Sequence, residues 1–303
     1  MTDKILELAS KHLGRTSDGG VMKPYITPTT HDPNLLQPIP RELNREKYNI
    51  TSDIFTGFDI WNCYETSFLN EKGYPVSGIT RIIFDSNTEN VVESKSLKLF
   101  LNSFNMEKIG NSNDFENLVS EALADKVAAC RVLFIPQNGF VFVKPWYNVY
   151  EGYSEITESE DEITHFTEAP ELLKLTSGDY KETKFHFASL RSNCRVTNQP
   201  DFGDMYVNYE GPMTLVPESL LKYLISFRGE SHFHEEVVEM VYKRLYDLND
   251  NIFTDLSVSA FYTRRGGIDI SPVRYFAGGK FAKHVEIAIS SDDPYSLFRT
   301  LKQ

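Results

Sequence analysis

The chain's strongest nucleophile candidate is Cys194, in Leu190-Arg191-Ser192-Asn193-Cys194-Arg195, with Asp201 seven positions on in the turn-like Asn198-Gln199-Pro200-Asp201-Phe202-Gly203. A free thiol ionises near about pH 8.5, and neighbouring positive charge draws it toward the thiolate. A nearby carboxylate can then carry the proton. The alternatives are a buried structural cysteine, since free cysteine is among the most buried residue types, and an aspartate that only forms a turn.

A second cluster, His232, His234 and Glu235, opens a helix carrying Val237 and Val241. The positive end of a helix favours an ionised Glu235 and disfavours imidazolium at His234. An ionised carboxylate accepts two hydrogen bonds side by side, as the N–H and amino edge of a guanine-like ring would offer. Ordinary helix-end polarity is the alternative. Thr263-Arg264-Arg265-Gly266-Gly267 sets two guanidiniums and two permissive glycines at a strand end, a corner that cradles phosphate or simply turns. Cys194 with His232 and His234 has the donor types of a zinc site, but no CxxC or HExxH spacing accompanies them. GxGxxG and GxxxxGK[ST] are also missing, so no dinucleotide site follows from glycine fingerprints.

The elements that must hold these residues are legible in outline. Two blocks resemble each other: Ser96 to Phe104 followed by Phe115 to Val119, and Leu220 to Phe227 followed by Phe233 to Val237. Each reads as an amphipathic segment, a polar turn and a second amphipathic helix. Asp114 is expected to cap the helix of Leu118, Ala122 and Val127, and Val237, Val241, Leu245 and Leu248 share a helical face. Strands are expected at Ser77–Phe84, Arg131–Ile135, Met205–Tyr209 and Leu256–Tyr262. Strands grouped around helix pairs favour α+β modules with antiparallel sheets over a doubly wound parallel sheet. Five prolines between residues 21 and 40 predict an irregular, draped N-terminal arm over residues 1–50. The acidic run from Ser154 to Glu168 reads as a solvated connection between modules at 51–170 and 171–303, or as an acidic edge strand or helix.

Composition narrows the partners. The 303 residues carry 31 Lys+Arg against 43 Asp+Glu, a formal net charge of −12, which is opposite in sign to a nucleic-acid-binding field. A local pair of arginines still suffices for a small anion. No window approaches the roughly 20 apolar residues of a membrane span, and the first residues lack a secretory pattern. Cys63, Cys130 and Cys194 are an odd, scattered set that suits a reducing cytoplasm better than a disulfide framework.

Glu93-Ser94-Lys95-Ser96-Leu97-Lys98-Leu99-Phe100 resembles the signature of the QueF family of nitrile reductases: Glu, Ser or Leu, Lys, Ser or Ala, a hydrophobic residue, Lys, Leu or Tyr, then an aromatic. Ser192-Asn193-Cys194, Asp201, Phe233-His234-Glu235 and Tyr262 to Gly267 extend the resemblance over residues 50 to 275, in the order of the long, two-module subfamily. The resemblance implies two tandem tunnelling-fold modules and NADPH-dependent reduction of 7-cyano-7-deazaguanine. It implies Cys194 as the covalent nucleophile, Asp201 and His234 in proton transfer, and Val92, Glu93, Ser94, His234 and Glu235 around the substrate. Ser94, Lys95, Arg265 and Gly266 would hold NADPH, with no metal, and the assembly would be a homodimer. A zinc-dependent cyclohydrolase of the same fold and an inert purine binder are the rival expectations.

Overall fold

The computed structural model describes residues 28–137, 152–157, 159, 161–248 and 253–282. The reading of the N-terminal residues up to 27, Pro24 included, lies outside them. The strands are β1 (Pro38–Pro40), β2 (Thr56–Leu69), β3 (Pro75–Asp85), β4 (Asn90–Val92), β5 (Cys130–Pro136), β6 (Ser154–Glu155), β7 (Leu175–Cys194), β8 (Pro200–Leu215), β9 (Ser231–His232), β10 (Asp255–Tyr262) and β11 (Ile268–Tyr275). The helices are α1 (Glu42–Arg45), α2 (Ser94–Asn102), α3 (Ser112–Lys126), α4 (Pro217–Ser226) and α5 (His234–Asp247).

Both expected helix pairs are present, each following a long hairpin. In α2, Leu97, Phe100 and Leu101 are buried at helical spacing, and the Glu93 side chain caps the N-terminus by accepting from the Ser96 N–H at 2.7 Å. In α3, Phe115, Val119, Ala122 and Leu123 form the buried stripe. The cap of α3 corrects the sequence reading: Asn111 accepts from the Asp114 N–H at 3.0 Å, and Asp114 sits in the first turn. Its charge there still opposes the positive helix end.

One sheet spans both halves, in the order β5-β3-β2-β11-β10-β8-β7-β6, with β9 added to β7. Every pairing is antiparallel except β6 and β9 on β7. The α+β, antiparallel expectation therefore holds. The acidic connection contributes β6, a two-residue edge strand, and among the described residues no further helix or strand precedes a 3₁₀ turn at Pro170–Leu172. One face of the sheet is apolar and carries the helices, with Trp61, Ile82 and Phe84 against α2 and α3, and Met205, Val207 and Val258 against α4 and α5. The other face holds buried polar residues, among them Asn62, Asp269, Ser271, Ser259 and Asn208.

The two halves meet where β2 pairs with β11, from Cys63 opposite Ile268 to Thr56 opposite Tyr275. A buried charge cluster lies across this seam on the helix side. Arg274 is fully buried and donates to Asp59 at 2.8 Å and to Glu239 of α5 at 2.8 Å. The described arm completes the cluster: Arg41 reaches Asp59 at 2.6 Å and Arg45 reaches Glu239 at 2.7 Å. Ordered arginines thus anchor the described part of the arm, residues 28–50, to the domain. Buried charges persist only when paired, and deleting one partner strands the others. Asp59→Ala should therefore lower unfolding free energy by about 3–5 kcal/mol in urea denaturation, because it leaves two buried guanidiniums short of a carboxylate.

Candidate active site

The β7–β8 hairpin places the thiol. Its register sets Ser192 opposite Asp201, and the five-residue turn closes with the Cys194 N–H donating to the Gln199 carbonyl and the Asn198 N–H donating to the Cys194 carbonyl, both at 2.8 Å. Asn198 adopts φ 55°, a left-handed conformation that asparagine tolerates. Residues two apart on a strand, and residues directly opposite across a pair, share a face. Ser192, Cys194 and Asp201 therefore point the same way. On the outer side of β7, His232 of β9 pairs with Cys194, and α5 begins two residues later. This brings His234 in over the hairpin, stacked on Tyr262 of β10 at 3.7 Å between ring centroids and 4° between planes, with Nε2 3.4 Å from Asp201.

The signature arrives from the other half. Lys95 on the first turn of α2 places its Nζ 3.9 Å from Cys194 Sγ and 3.6 Å from Glu93. The arm fixes this turn: Glu93 N–H donates to the Gln37 carbonyl at 2.9 Å, and Gln37 N–H donates to Ser96 Oγ at 3.0 Å. Lys98, one turn on, donates to the Gly266 carbonyl at 2.8 Å. Gly266 and Gly267 have φ of 61° and 81°, so the β10–β11 turn needs both glycines, and a Cβ on Gly267 would overlap Glu65. Arg265 leaves this turn toward the catalytic hairpin, pairing with Asp201 at 2.6 Å and with Thr197 Oγ1 at 2.8 Å, and also donating to Gln199.

Electrostatics separates the three cysteines. Burial raises the Cys194 thiol, but hydrogen bonds from the Thr197 hydroxyl and the Thr197 and Val196 N–H groups, with the Lys95 charge, outweigh it and hold the thiol below its ordinary value. Burial pushes Cys130 up to about 12, and burial with the Asp269 charge pushes Cys63 higher still. At Asp201 burial is likewise overcome, by His234 and Arg265, so its carboxyl lies below the usual carboxylate range.

Glu235 departs from the sequence reading of an ionised anchor. Burial, and then the Asp59 carboxylate, push it up to about 8, which outweighs the helix end. Glu235 Oε1 and the adjacent His234 Nδ1 are both buried with no hydrogen-bond partner. Buried polar groups of native structures are seldom left without a partner, so these two call for one.

Direct contacts thus link Cys194, Lys95 and Glu93 in one set and His234, Asp201 and Arg265 in another, with Ser94 beside Glu93 and Gly266 held by Lys98. Val92 is not presented with them, for its side chain is buried in the first-half core. His232 lies between Glu230 at 3.1 Å and Glu236 at 3.4 Å, and among the described residues no set of His, Cys, Asp and Glu converges as metal ligands. Sequence reasoning did not single out Thr197 or Lys98, although both stand inside the quoted motifs or next to them. Arg264, exposed and 3.4 Å from the Tyr64 ring centroid, is the less committed guanidinium of its pair. Lys95 leaves positive charge at the thiol, of the sign that suits an anionic ligand.

A raised carboxyl pKa means that folding favours the protonated form. Its stabilising contribution is full below the unfolded value near 4.5 and is lost as pH rises toward about 8. Glu235→Gln should therefore match wild type in thermal midpoint only below the unfolded value near 4.5 and gain on it progressively as pH rises to about 8, as followed by calorimetry. A gap that shrinks or stays flat with pH would show that Glu235 is ionised in the fold.

Residues 27–133 match the family model described as nitrile reductase, 7-cyano-7-deazaguanine-reductase N-term, which takes in the described arm. Residues 200–277 match a model described as QueF-like protein. The chain is 36% identical over 253 residues to the NADPH-dependent 7-cyano-7-deazaguanine reductases of Bordetella parapertussis and Bordetella bronchiseptica, across 82% of this chain and 89% of each relative. The crystal structure of the archaeosine synthase QueF-Like in the apo form aligns at a TM-score of 0.28 with 21% identity, covering 34% of this chain and 98% of that one. An identity of 36% over this coverage places the chain in the NADPH-dependent 7-cyano-7-deazaguanine reductase family.

Proposed function

We propose that this chain reduces the nitrile of 7-cyano-7-deazaguanine to the aminomethyl group with NADPH as hydride donor, through a thioimide on Cys194. The observation that carries the reading is the contact of Lys95, inside the signature, with the one cysteine whose thiol is lowered. A nitrile carbon is a modest electrophile, and thiolate attack converts one hard reduction into steps with an activated C=N bond. The Cys194 sulfur forms the C–S bond, and the nitrile nitrogen takes a proton. His234, 3.4 Å from Asp201, is placed to pass that proton, with the Asp201 carboxylate balancing the charge.

Bound NADPH supplies hydride, and nitrile to amine takes two hydrides, so two cofactors are consumed per turnover. Ser94, Lys95, Arg265 and Gly266 are the residues we assign to it, with Arg264 added on its exposure. The ring must stay clamped while the oxidised cofactor is exchanged. Glu235 and Glu93 are assigned to the clamp, with Ser94 and His234 beside them, and Val92 contributes only through its backbone. A guanine-like edge presents two donors, so Glu235 accepts both only after releasing its proton. The fold reading follows the same line. Residues 51–170 and 171–303 form two tunnelling-fold modules, supported by the repeated order of hairpin, helix pair and returning strand. A homodimer and a cytoplasmic location rest on the family resemblance.

Incubation with 7-cyano-7-deazaguanine should consume two NADPH per nitrile. Without NADPH, intact mass should rise by one substrate in wild type and stay unchanged in Cys194→Ala. An adduct that persists in the alanine variant, or binding with no NADPH consumed by wild type, would contradict the reading.

A further inference from the structure

Tyr262 is the last residue of β10 and the last of its row on the helix side, after Leu256, Val258 and Ala260. It carries the imidazole of His234, the first residue of α5, which lies flat on its ring with 3.7 Å between centroids and 4° between planes. A glycine makes room for the tyrosine. Tyr262 stands opposite Gly203 in the β8–β10 register, and a Cβ on Gly203 would come within 3.3 Å of Tyr262 Cδ1 and 3.0 Å of the Phe261 carbonyl oxygen. Tyr262 is fully buried, so its ring is a fixed plate under the histidine.

The last torsion of a histidine side chain is otherwise broad. Turning about it tilts the imidazole out of its plane, so a flat neighbour on one side opposes the half-turn that would put carbon where each nitrogen stands. The two nitrogens have different surroundings. Nε2 lies 3.4 Å from Asp201 Oδ2, and Arg265 holds the other oxygen of that carboxylate at 2.6 Å. Nδ1 is buried with no hydrogen-bond partner, as is Oε1 of the next residue, Glu235. A neutral imidazole carries hydrogen on one nitrogen and accepts on the other, and a carboxylate keeps the hydrogen on the nitrogen that faces it.

We propose that Tyr262 is a positioning residue whose ring holds the His234 imidazole with Nε2 on Asp201 and Nδ1 as the nitrogen that meets the ligand. The inference rests on His234 passing the proton in the reaction proposed above. There the imidazolium gives its Nδ1 proton to the nitrile nitrogen as the C–S bond forms, and is left neutral with hydrogen on Nε2 facing Asp201. An aromatic face also attracts a cation, so the stack supports the charged ring from which that proton comes.

The test follows His234 by NMR in protein labelled with 15N-histidine, at alkaline pH where imidazole is neutral, with His234→Gln to assign the signals. Wild type is compared with Tyr262→Phe, which keeps the ring, and with Tyr262→Leu and Tyr262→Met, which remove it. Two ringless variants guard against one that fails to fold, and thermal midpoints show which to use. Wild type and Tyr262→Phe should carry hydrogen on Nε2 alone, whereas a folded ringless variant should show it exchanging between both nitrogens. In turnover with 7-cyano-7-deazaguanine, the ringless variant should lose about tenfold to a hundredfold in kcat with KM little changed, and Tyr262→Phe should stay near wild type. A folded ringless variant with hydrogen still on Nε2 alone would overturn the proposal, as would a phenylalanine variant that loses as much kcat as leucine. The NMR readout needs neither nitrile nor cofactor. A ring-dependent hydrogen on Nε2 in a protein that never consumes NADPH upholds Tyr262 as the residue that positions His234 and removes only the reaction assigned to it.

Discussion

The pairing of β2 with β11 is the constraint on which the rest of this molecule depends. Eight residues of the last described strand lie along a strand of the first half, and the helix pairs of both halves pack on the same face of the joined sheet. A one-residue slip in register would turn every side chain of β11 to the opposite face. Arg274 would then leave Asp59 and Glu239, and the buried cluster that holds α5 and the arm would lose its centre. Because the seam is fixed, α2 of one half stands where its Lys95 meets a thiol presented by the other.

The site built on that frame sets opposite protonation tendencies close together. Cys194 and Asp201 are buried, yet charged or hydrogen-bonding neighbours hold both below their ordinary values. Glu235, on the same helix as the stacked His234, is pushed the other way by burial and by Asp59, which outweigh its own backbone N–H and the Arg41 and Arg274 charges. Asp59 is in turn kept ionised by Arg274 and Arg41 despite its burial. The charge cluster therefore has two effects. It ties the halves together, and its Asp59 adds to burial in favouring the protonated Glu235 carboxyl.

Much of this was legible in the sequence. The signature, the cysteine, its aspartate and the histidine-glutamate pair are local patterns, and helix pairs with one apolar stripe announce themselves by spacing. What was not legible depends on distance along the chain. Arg41, Asp59, Glu239 and Arg274 are separated by as many as 215 positions in their pairs, and nothing local marks any of them as partners. Strand β2 is buried on both faces in its middle, so Ile60, Trp61, Asn62 and Cys63 give no alternation to read. The protonation of Glu235 was misread for a related reason. The helix end is visible in sequence, whereas burial beside Asp59 is not.

The central claim is that thiol and signature meet within one chain. It is tested most directly by co-expressing a Cys194→Ala chain with a chain carrying Glu93→Ala and Lys95→Ala, each with its own affinity tag, and assaying species purified through both tags for NADPH consumption with 7-cyano-7-deazaguanine. The account predicts that neither chain alone nor the mixed species turns over, because every site in the mixture lacks one half of its residues. Restored turnover in the mixed species would mean that the cysteine and the signature come from different chains, and would contradict it.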